Sequence, residues 1–248
     1  MLRLKKKVAL VTGASKGIGA AIAKAFAAEG ASVVVNYASD KAGADVVAQD
    51  IASLGGRAIA IQGDVSQAEQ AQGLVAAAIG SFGRLDIVVN NAGIYETSPI
   101  EGVTEQQYRR MFDVNVLGVL LVTQAAAKHL GDGGSVINIS SNVTSGLWPN
   151  LAVYAGTKGA LEAISGVLAK ELGPRKIRVN VINPGLVETA GASAGGVLSP
   201  DFKKFIVAQT PLGRVGQPDD ISALAVFLAS DDARWLTGEK LLATGGLR

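Results

Sequence analysis

Residues 8–30 read VALVTGASKGIGAAIAKAFAAEG, and this stretch decides the architecture. Its first five residues, Val8 to Thr12, read as a short buried strand ahead of a glycine loop. Gly13, Gly17 and Gly19 punctuate the loop with the spacing G-x-x-x-G-x-G, in place of the more usual G-x-G-x-x-G. An alanine-rich helical stretch over 20–28 follows and stops at Gly30. Strand, glycine loop and helix together let a backbone turn tightly and hold a pyrophosphate at a helix N-terminus. Ser15, Lys16 and Ile18 share that loop and join the glycines as candidate cofactor contacts. The plainer alternative is a glycine-rich turn with no ligand.

Working outward, apolar runs predict further strands at 32–36, 57–61, 85–90, 135–140, 177–182 and 240–243. Helical patterns lie between them at 40–54, 67–82, 104–130, 152–172 and 218–229, with Ser39 or Asp40 capping the first and Thr104 capping a single long helix. Strands alternating with helices from end to end indicate a parallel sheet covered on both faces. No linker, repeat or composition break interrupts the pattern, so residues 1–248 are expected to be one domain. Ligands of such sheets bind at the carboxyl ends of the strands, near the switch in strand order. The glycine loop, Asn36, Asp64, Asn91, Ser141 and Pro184-Gly185 all fall there.

Composition narrows the chemistry. Charged residues make up 18% of the chain against 48% hydrophobic, and the net charge of +2 comes without a dense basic patch, so nucleic acid is not an expected partner. The absence of cysteine removes disulfides, thiol catalysis and thiolate metal sites. The single histidine, His129, rules out a multi-histidine zinc cluster and reads as a structural cation after a helix. Lys5-Lys6-Lys7 ahead of 8–11 imitates a signal peptide, but the apolar run is too short. No stretch reads as long and apolar enough to span a bilayer, so no membrane partner and a cytoplasmic location are expected.

The chemistry is placed at residues 141–158, SNVTSGLWPNLAVYAGTK. Tyr154 and Lys158 are four residues apart and share one helix face. An ammonium beside a phenol favours phenolate, which lowers a pKa that otherwise sits near 10. Ser141, at the end of an apolar strand, is suited to hold a substrate oxygen while Tyr154 exchanges the proton. Y-x-x-x-K alone is more often an ordinary helix pair, so the surroundings carry the case.

Those surroundings resemble the short-chain dehydrogenase/reductase family over essentially the whole chain. The residues in question are TGASKGIG at 12–19, GDV at 63–65, NNAG at 90–93, Asn115 in DVNVLG, Ser141, YAGTK at 154–158 and NPGLVET at 183–189. The resemblance implies a single-domain, Rossmann-type, doubly wound α/β fold of about seven strands. It also implies a catalytic tetrad of Asn115, Ser141, Tyr154 and Lys158, with Tyr154 as general acid/base. Lys158 would lower the tyrosine pKa and grip the nicotinamide ribose, and Asn115 would keep a relay water. A polar residue relieving a kinked helix is the other reading of Asn115. Asp64 with Val65 matches the adenine contact, or else caps the next helix. Asn91, Ala92 and Gly93 match the cofactor floor, and Pro184, Gly185, Val187 and Thr189 match the segment at the carboxamide and phosphates.

Asn36 ends the second predicted strand where NAD-selective enzymes carry an acid, and Lys16 resembles the base set near a 2′-phosphate; NADP(H) is favoured over NAD(H). Asp40 could supply the missing charge if the strand runs further. Residues 94–96, 147–150 and a loop at about 189–212 are expected to line the substrate. Residues 190–196 read as a closing lid or a surface insertion, and Trp148 as an apolar wall or a subunit contact. The expected function is reduction of a free ketone or aldehyde. The 3-oxoacyl-(acyl carrier protein) reductases, sugar or polyol dehydrogenases and a non-catalytic dinucleotide sensor are the alternatives. Arg175 and Lys176 match one of two carrier-docking sites, whereas Asp132-Gly133-Gly134 occupies the other. Family likeness implies a homotetramer, or a dimer.

Overall fold

Strand side chains divide between two cores, because successive residues of a strand point to opposite faces. Ala9, Val11, Val33, Val35, Ile87, Val89, Ile137 and Ile139 pack with Ile22 and Phe26 on one side, joined by Ile221, Ala225 and Leu228. Their neighbours Val8, Leu10, Val34, Val88, Val136 and Val179 pack on the other with Leu74, Val75, Val122, Ala126 and Leu172. Each such aliphatic side chain contributes about 1.5–3 kcal/mol on burial, so both faces need a helical cover.

The chain's computed structural model describes residues 2–189, 191 and 199–247. One sheet contains β1 (Val8–Val11), β2 (Ser32–Tyr37), β3 (Arg57–Gln62), β4 (Ile87–Asn90), β5 (Ser135–Ile139), β6 (Arg178–Pro184) and β7 (Lys240–Ala243), in the order β3-β2-β1-β4-β5-β6-β7. Every neighbouring pair is parallel. This is the expected Rossmann-like, doubly wound arrangement. The chain winds outward from β1 in one direction and from β4 in the other, and a crevice opens where their loops part.

Helices α1 (Gly17–Ala28), α2 (Lys41–Ser53), α3 (Ala68–Phe82), α7 (Ala152–Leu172) and α9 (Pro218–Ala229) lie close to their predicted bounds. A short α6 (Val143–Gly146) precedes α7. Asp40 and Thr104 cap as expected, accepting from Gly43 N at 3.0 Å and Gln107 N at 3.1 Å. The predicted long helix is α4 (Glu105–Phe112) and α5 (Gly118–Ala127) joined by a π-helical segment, Asp113–Leu117. Over 105–127 it meets the length and hydropathy of a membrane span, contrary to expectation. Its apolar side chains are used inside the domain, where Val122 and Ala126 enter the second core. The stretch read as loop contains α8 (Pro200–Gln209), capped by Ser199 with a proline in its first turn. The lid-or-insertion reading of 190–196 lies mostly outside the described residues.

Gly19 shows how tightly the first turn is packed: a Cβ there would lie 2.5 Å from Gly13 O and collide with Asn91 Nδ2. Gly73, inside α3, has nothing within 4 Å of the place a Cβ would occupy. Gly19→Ala is therefore expected to lower stability by about 1–3 kcal/mol through overpacking, and Gly73→Ala to raise it by about 0.5–1 kcal/mol through helix propensity. Urea unfolding of the two variants checks both signs.

Candidate active site

The glycine loop is held from both sides by side chains that the sequence offers as cofactor contacts. Asn91 Nδ2 donates to Thr12 O and Gly13 O, each at 2.9 Å. Thr12 Oγ1 accepts from Asn91 N and Ala92 N, each at 3.0 Å. Asn36 Oδ1 accepts from Gly13 N at 3.1 Å, and its Nδ2 donates to Gly63 O at 2.9 Å. Gly13 and Gly17 both hold φ of +59°, the left-handed region that favours glycine. In the sequence Thr12 is legible only as a loop boundary; its hydroxyl is what ties the ends of β1 and β4.

A cleft of about 590 Å³ runs over this loop, lined by Ser15, Lys16, Gly17, Ile18, Gly19, Asp64, Val65, Ala92, Gly93 and Thr189 among others. Helix α1 begins in it with no side-chain cap and no acidic residue in its first turn. A helix start without a side-chain cap, beside two glycines that keep the loop bare, fits a dinucleotide pyrophosphate.

Asn36 lines the cleft as the sequence suggests, but its side chain also has a structural task. Asn36 is fully buried and its amide is consumed by main-chain groups. Strand β2 continues to Tyr37, and Ala38, Ser39 and Asp40 line the cleft beyond it. Lys16 Nζ lies 3.7 Å from Asp40 Oδ2, with the lysine side chain 61% exposed. Asp64 Oδ1 accepts from both the N–H and the hydroxyl of Ser66, at 2.9 and 2.7 Å, while the residue still lines the cleft. Its turn-forming and cleft-lining roles coexist.

At its other end the cleft meets a cavity of about 520 Å³, the two sharing Ile18, Asn91, Gly93, Ile94 and Thr189. Ser141, Tyr154, Lys158, Pro184, Gly185 and Val187 line this cavity. Burial pushes the Tyr154 phenol up to about 12; the Ser141 hydroxyl draws it down and Tyr95 adds to the rise. Burial alone carries the Lys158 ammonium down to about 8. Burial is the largest influence on both groups, so the phenol keeps its proton at neutral pH. Lys158 Nζ donates to Ile139 O at 2.9 Å and lies 5.7 Å from the centre of the Tyr154 ring.

Asn115 sits in the π-helical segment, buried, with its side chain aimed off the helix. It accepts from Ile94 N at 2.8 Å and donates to Ile94 O at 2.9 Å and Thr157 Oγ1 at 3.2 Å. The amide thus clips the loop after β4 to α7, and Gly93 is kept small by Asn115 Oδ1, 3.3 Å from where a Cβ would stand.

Apolar and aromatic side chains give the cavity its character. Tyr95 meets Tyr154 edge to face, with ring centres 4.9 Å apart. Trp148 lines the wall, and Phe202 and Ile206 line it from the 189–212 segment as expected, although they stand on helix α8 rather than in a loop. Ser199-Pro200-Asp201 followed by Phe202 and Ile206 at helical spacing is the signal that could have found that helix.

Lys158 makes stability depend on pH. Its folded pKa of about 8 is below the ordinary 10.5, so stability from this site is full above pH 10.5 and falls as pH drops toward 8. The size is roughly 3 kcal/mol. Urea unfolding of Lys158→Met against the parent should show the variant gaining relative stability between pH 10 and 8 and no further gain below. A pH-independent difference would contradict this.

Comparison with known proteins agrees with the geometry. A family model described as Enoyl-(Acyl carrier protein) reductase matches residues 13–248. An uncharacterised oxidoreductase of Methylorubrum extorquens is 67% identical over 248 residues, covering all of both chains. A hydroxynaphthalene reductase-like protein of Metarhizium majus is 42% identical over 98% of this chain and 95% of its own. A short-chain dehydrogenase of Burkholderia cenocepacia, solved in complex with NADP, superposes with a TM-score of 0.93 at 37% identity over 99% of each chain. With its parallel seven-stranded sheet, glycine cradle and Tyr-Lys pair on one helix, the chain belongs to the short-chain dehydrogenase/reductase family of oxidoreductases.

Proposed function

We propose that this protein is an NADP(H)-dependent reductase of bulky, uncharged ketones, with Tyr154 as the proton donor. One observation carries the reading: a phenol held protonated by burial shares a cavity with the Ser141 hydroxyl and opens onto the dinucleotide cleft. NADP(H), when bound, would supply the hydride. The Ser141 hydroxyl donates to the substrate carbonyl oxygen while Tyr154 delivers a proton to that oxygen as negative charge develops there. Lys158, fixed on Ile139 O behind the phenol, supplies the positive charge that steadies the resulting phenolate.

The substrate class follows from the wall. Among the described residues Lys158 is the one charged side chain lining the cavity, and Tyr95, Trp148, Leu151, Phe202 and Ile206 are largely apolar. Such a lining suits a ring ketone and, among the described residues, offers a carboxylate no cation besides Lys158, which is held on Ile139 O. The name of the Metarhizium relative points to the same kind of substrate. A carrier-bound acyl chain is less well served. Arg175 Nη2 donates to Ala127 O and Leu130 O at 2.6 and 3.0 Å, and Lys176 pairs with Asp132 at 2.9 Å. Asp132 beside Lys176 sets a negative charge where an acidic carrier would approach.

NADP(H) is supported by Lys16. Its contact with Asp40 is long and largely exposed, so exchanging that partner for a phosphate costs little.

Two measurements test the proposal. Tyr154→Phe should lower kcat for reduction of a decalone or tetralone by about a thousandfold, on the scale of general-acid loss, while cofactor still binds; retained turnover would refute it. Lys16→Met should raise the KM for NADPH by roughly tenfold, the worth of one charge-assisted contact, and leave that for NADH within about twofold. Equal effects on both cofactors would remove Lys16 from cofactor selection.

A further inference from the structure

A buried carboxylate with no part in the tyrosine chemistry lies one helical turn beyond Lys158. Glu162 of α7 is 8% exposed, and its Oε1 collects three donors. They are Ser140 Oγ at 3.3 Å, Thr144 Oγ1 at 2.7 Å and Asn183 Nδ2 at 2.6 Å. Its Oε2 lies 3.2 Å from Lys240 Nζ of β7. Burial works to raise this carboxyl, but the Thr144, Asn183 and Lys240 donors outweigh it and hold it ionised.

The placing of those donors gives the group its meaning. Ser140 precedes Ser141 and Thr144 follows it by three residues, so one oxygen grips the chain on either side of the catalytic hydroxyl. Asn183 Nδ2 and Thr144 Oγ1 also approach Ser141 O, at 3.2 and 3.1 Å. Asn183 in turn immediately precedes Pro184-Gly185 in the cavity wall. A turn that carries a catalytic group on its tip needs such support, since a shift of about 1 Å can cost a hundredfold in rate. A carboxylate is suited to this because it only accepts, so it can take several donors at once.

We infer that Glu162 is a positioning residue for Ser141, acting through Ser140, Thr144 and Asn183 to fix the serine hydroxyl against Tyr154. The inference rests on the reading of Ser141 and Tyr154 as the reacting pair. Glu162→Gln is the informative change, because the carboxamide retains one acceptor and the size of the side chain while turning the other end into a donor facing Lys240. Lys240→Met removes the outer partner and leaves the three inner donors in place.

A double-mutant cycle distinguishes positioning from plain structural support. Glu162→Gln should lower kcat for ketone reduction about tenfold with KM for NADPH within about threefold, on the scale of one strained hydrogen bond. In a Ser141→Ala background the same change should lower kcat less than about twofold, because the group it positions is gone. Lys240→Met should leave kcat within about twofold, since the inner donors are untouched. Equal, multiplicative losses in both backgrounds would overturn the inference. A second readout needs no turnover: ultraviolet titration of the Tyr154 phenol, taken as the difference from Tyr154→Phe, should move to higher pH in Glu162→Gln as the Ser141 contact loosens. An unmoved titration would overturn the inference even if no ketone is reduced, whereas failure of the parent enzyme on every carbonyl would count against the proposed activity alone.

Discussion

A lysine ammonium is held inside this protein by one main-chain oxygen, that of Ile139 at the end of β5. The cost of taking that charge out of water is met by a hydrogen bond and by the negative end of a carbonyl dipole, not by a carboxylate. Much of the site follows from this arrangement. A carboxylate partner would pair with the lysine and neutralise its influence; a carbonyl leaves the positive charge available to whatever lies beside it. The neighbour is the buried phenol of Tyr154, and its burial has the opposite sense, keeping the proton on. Two groups of contrary tendency, one reluctant to be charged as a base and one reluctant to be charged as an acid, are packed on one face of α7.

The sheet supplies the rigidity this demands. Strand ends deliver Thr12, Asn36, Asn91, Ile139 and Asn183 to one edge, and each makes its contacts through atoms fixed by the parallel ladder or by the turn that leaves it. Three asparagines serve as latches. Asn36 and Asn91 clamp the glycine loop, and Asn115 clips the loop after β4 to α7. An amide has a donor and an acceptor side by side, so it can satisfy a peptide N–H and C=O together, which is what leaving a strand or interrupting a helix requires.

That division marks what is legible in the sequence. Element type and order are readable because two periods, 2 and 3.6, alternate along the chain and because Val8 to Val11 runs directly into glycines. The residues gathered at the strand ends are readable for the same reason. Their individual tasks are not. That the amide of Asn36 bonds main-chain groups of the glycine loop and of Gly63 depends on where β2 stops, and the strand runs one residue further than expected, to Tyr37. Four-residue spacing fixes a shared face for Tyr154 and Lys158 but not their burial, and burial is what moves both groups most. Helix α8 escapes a sequence reading because the long glycine-rich approach to it hides the Ser-Pro start, and Glu162 because a glutamate at a helix position four beyond a lysine ordinarily belongs to solvent.

The π-helical segment at Asp113–Leu117 has its own consequence for how this chain can vary. One surplus residue is wound into that turn, so α4 and α5 are out of phase with each other by about 100° relative to an unbroken helix. Excising any single residue between Glu105 and Ala127 would restore regular winding. It would also turn one half against its neighbours, carrying Val122 and Ala126 away from the strands they cover or swinging Asn115 off the loop it clips. The length of this helix is thereby pinned from both ends, by a core on one side and α7 on the other, and length changes are excluded from a segment whose surface residues are otherwise free to differ.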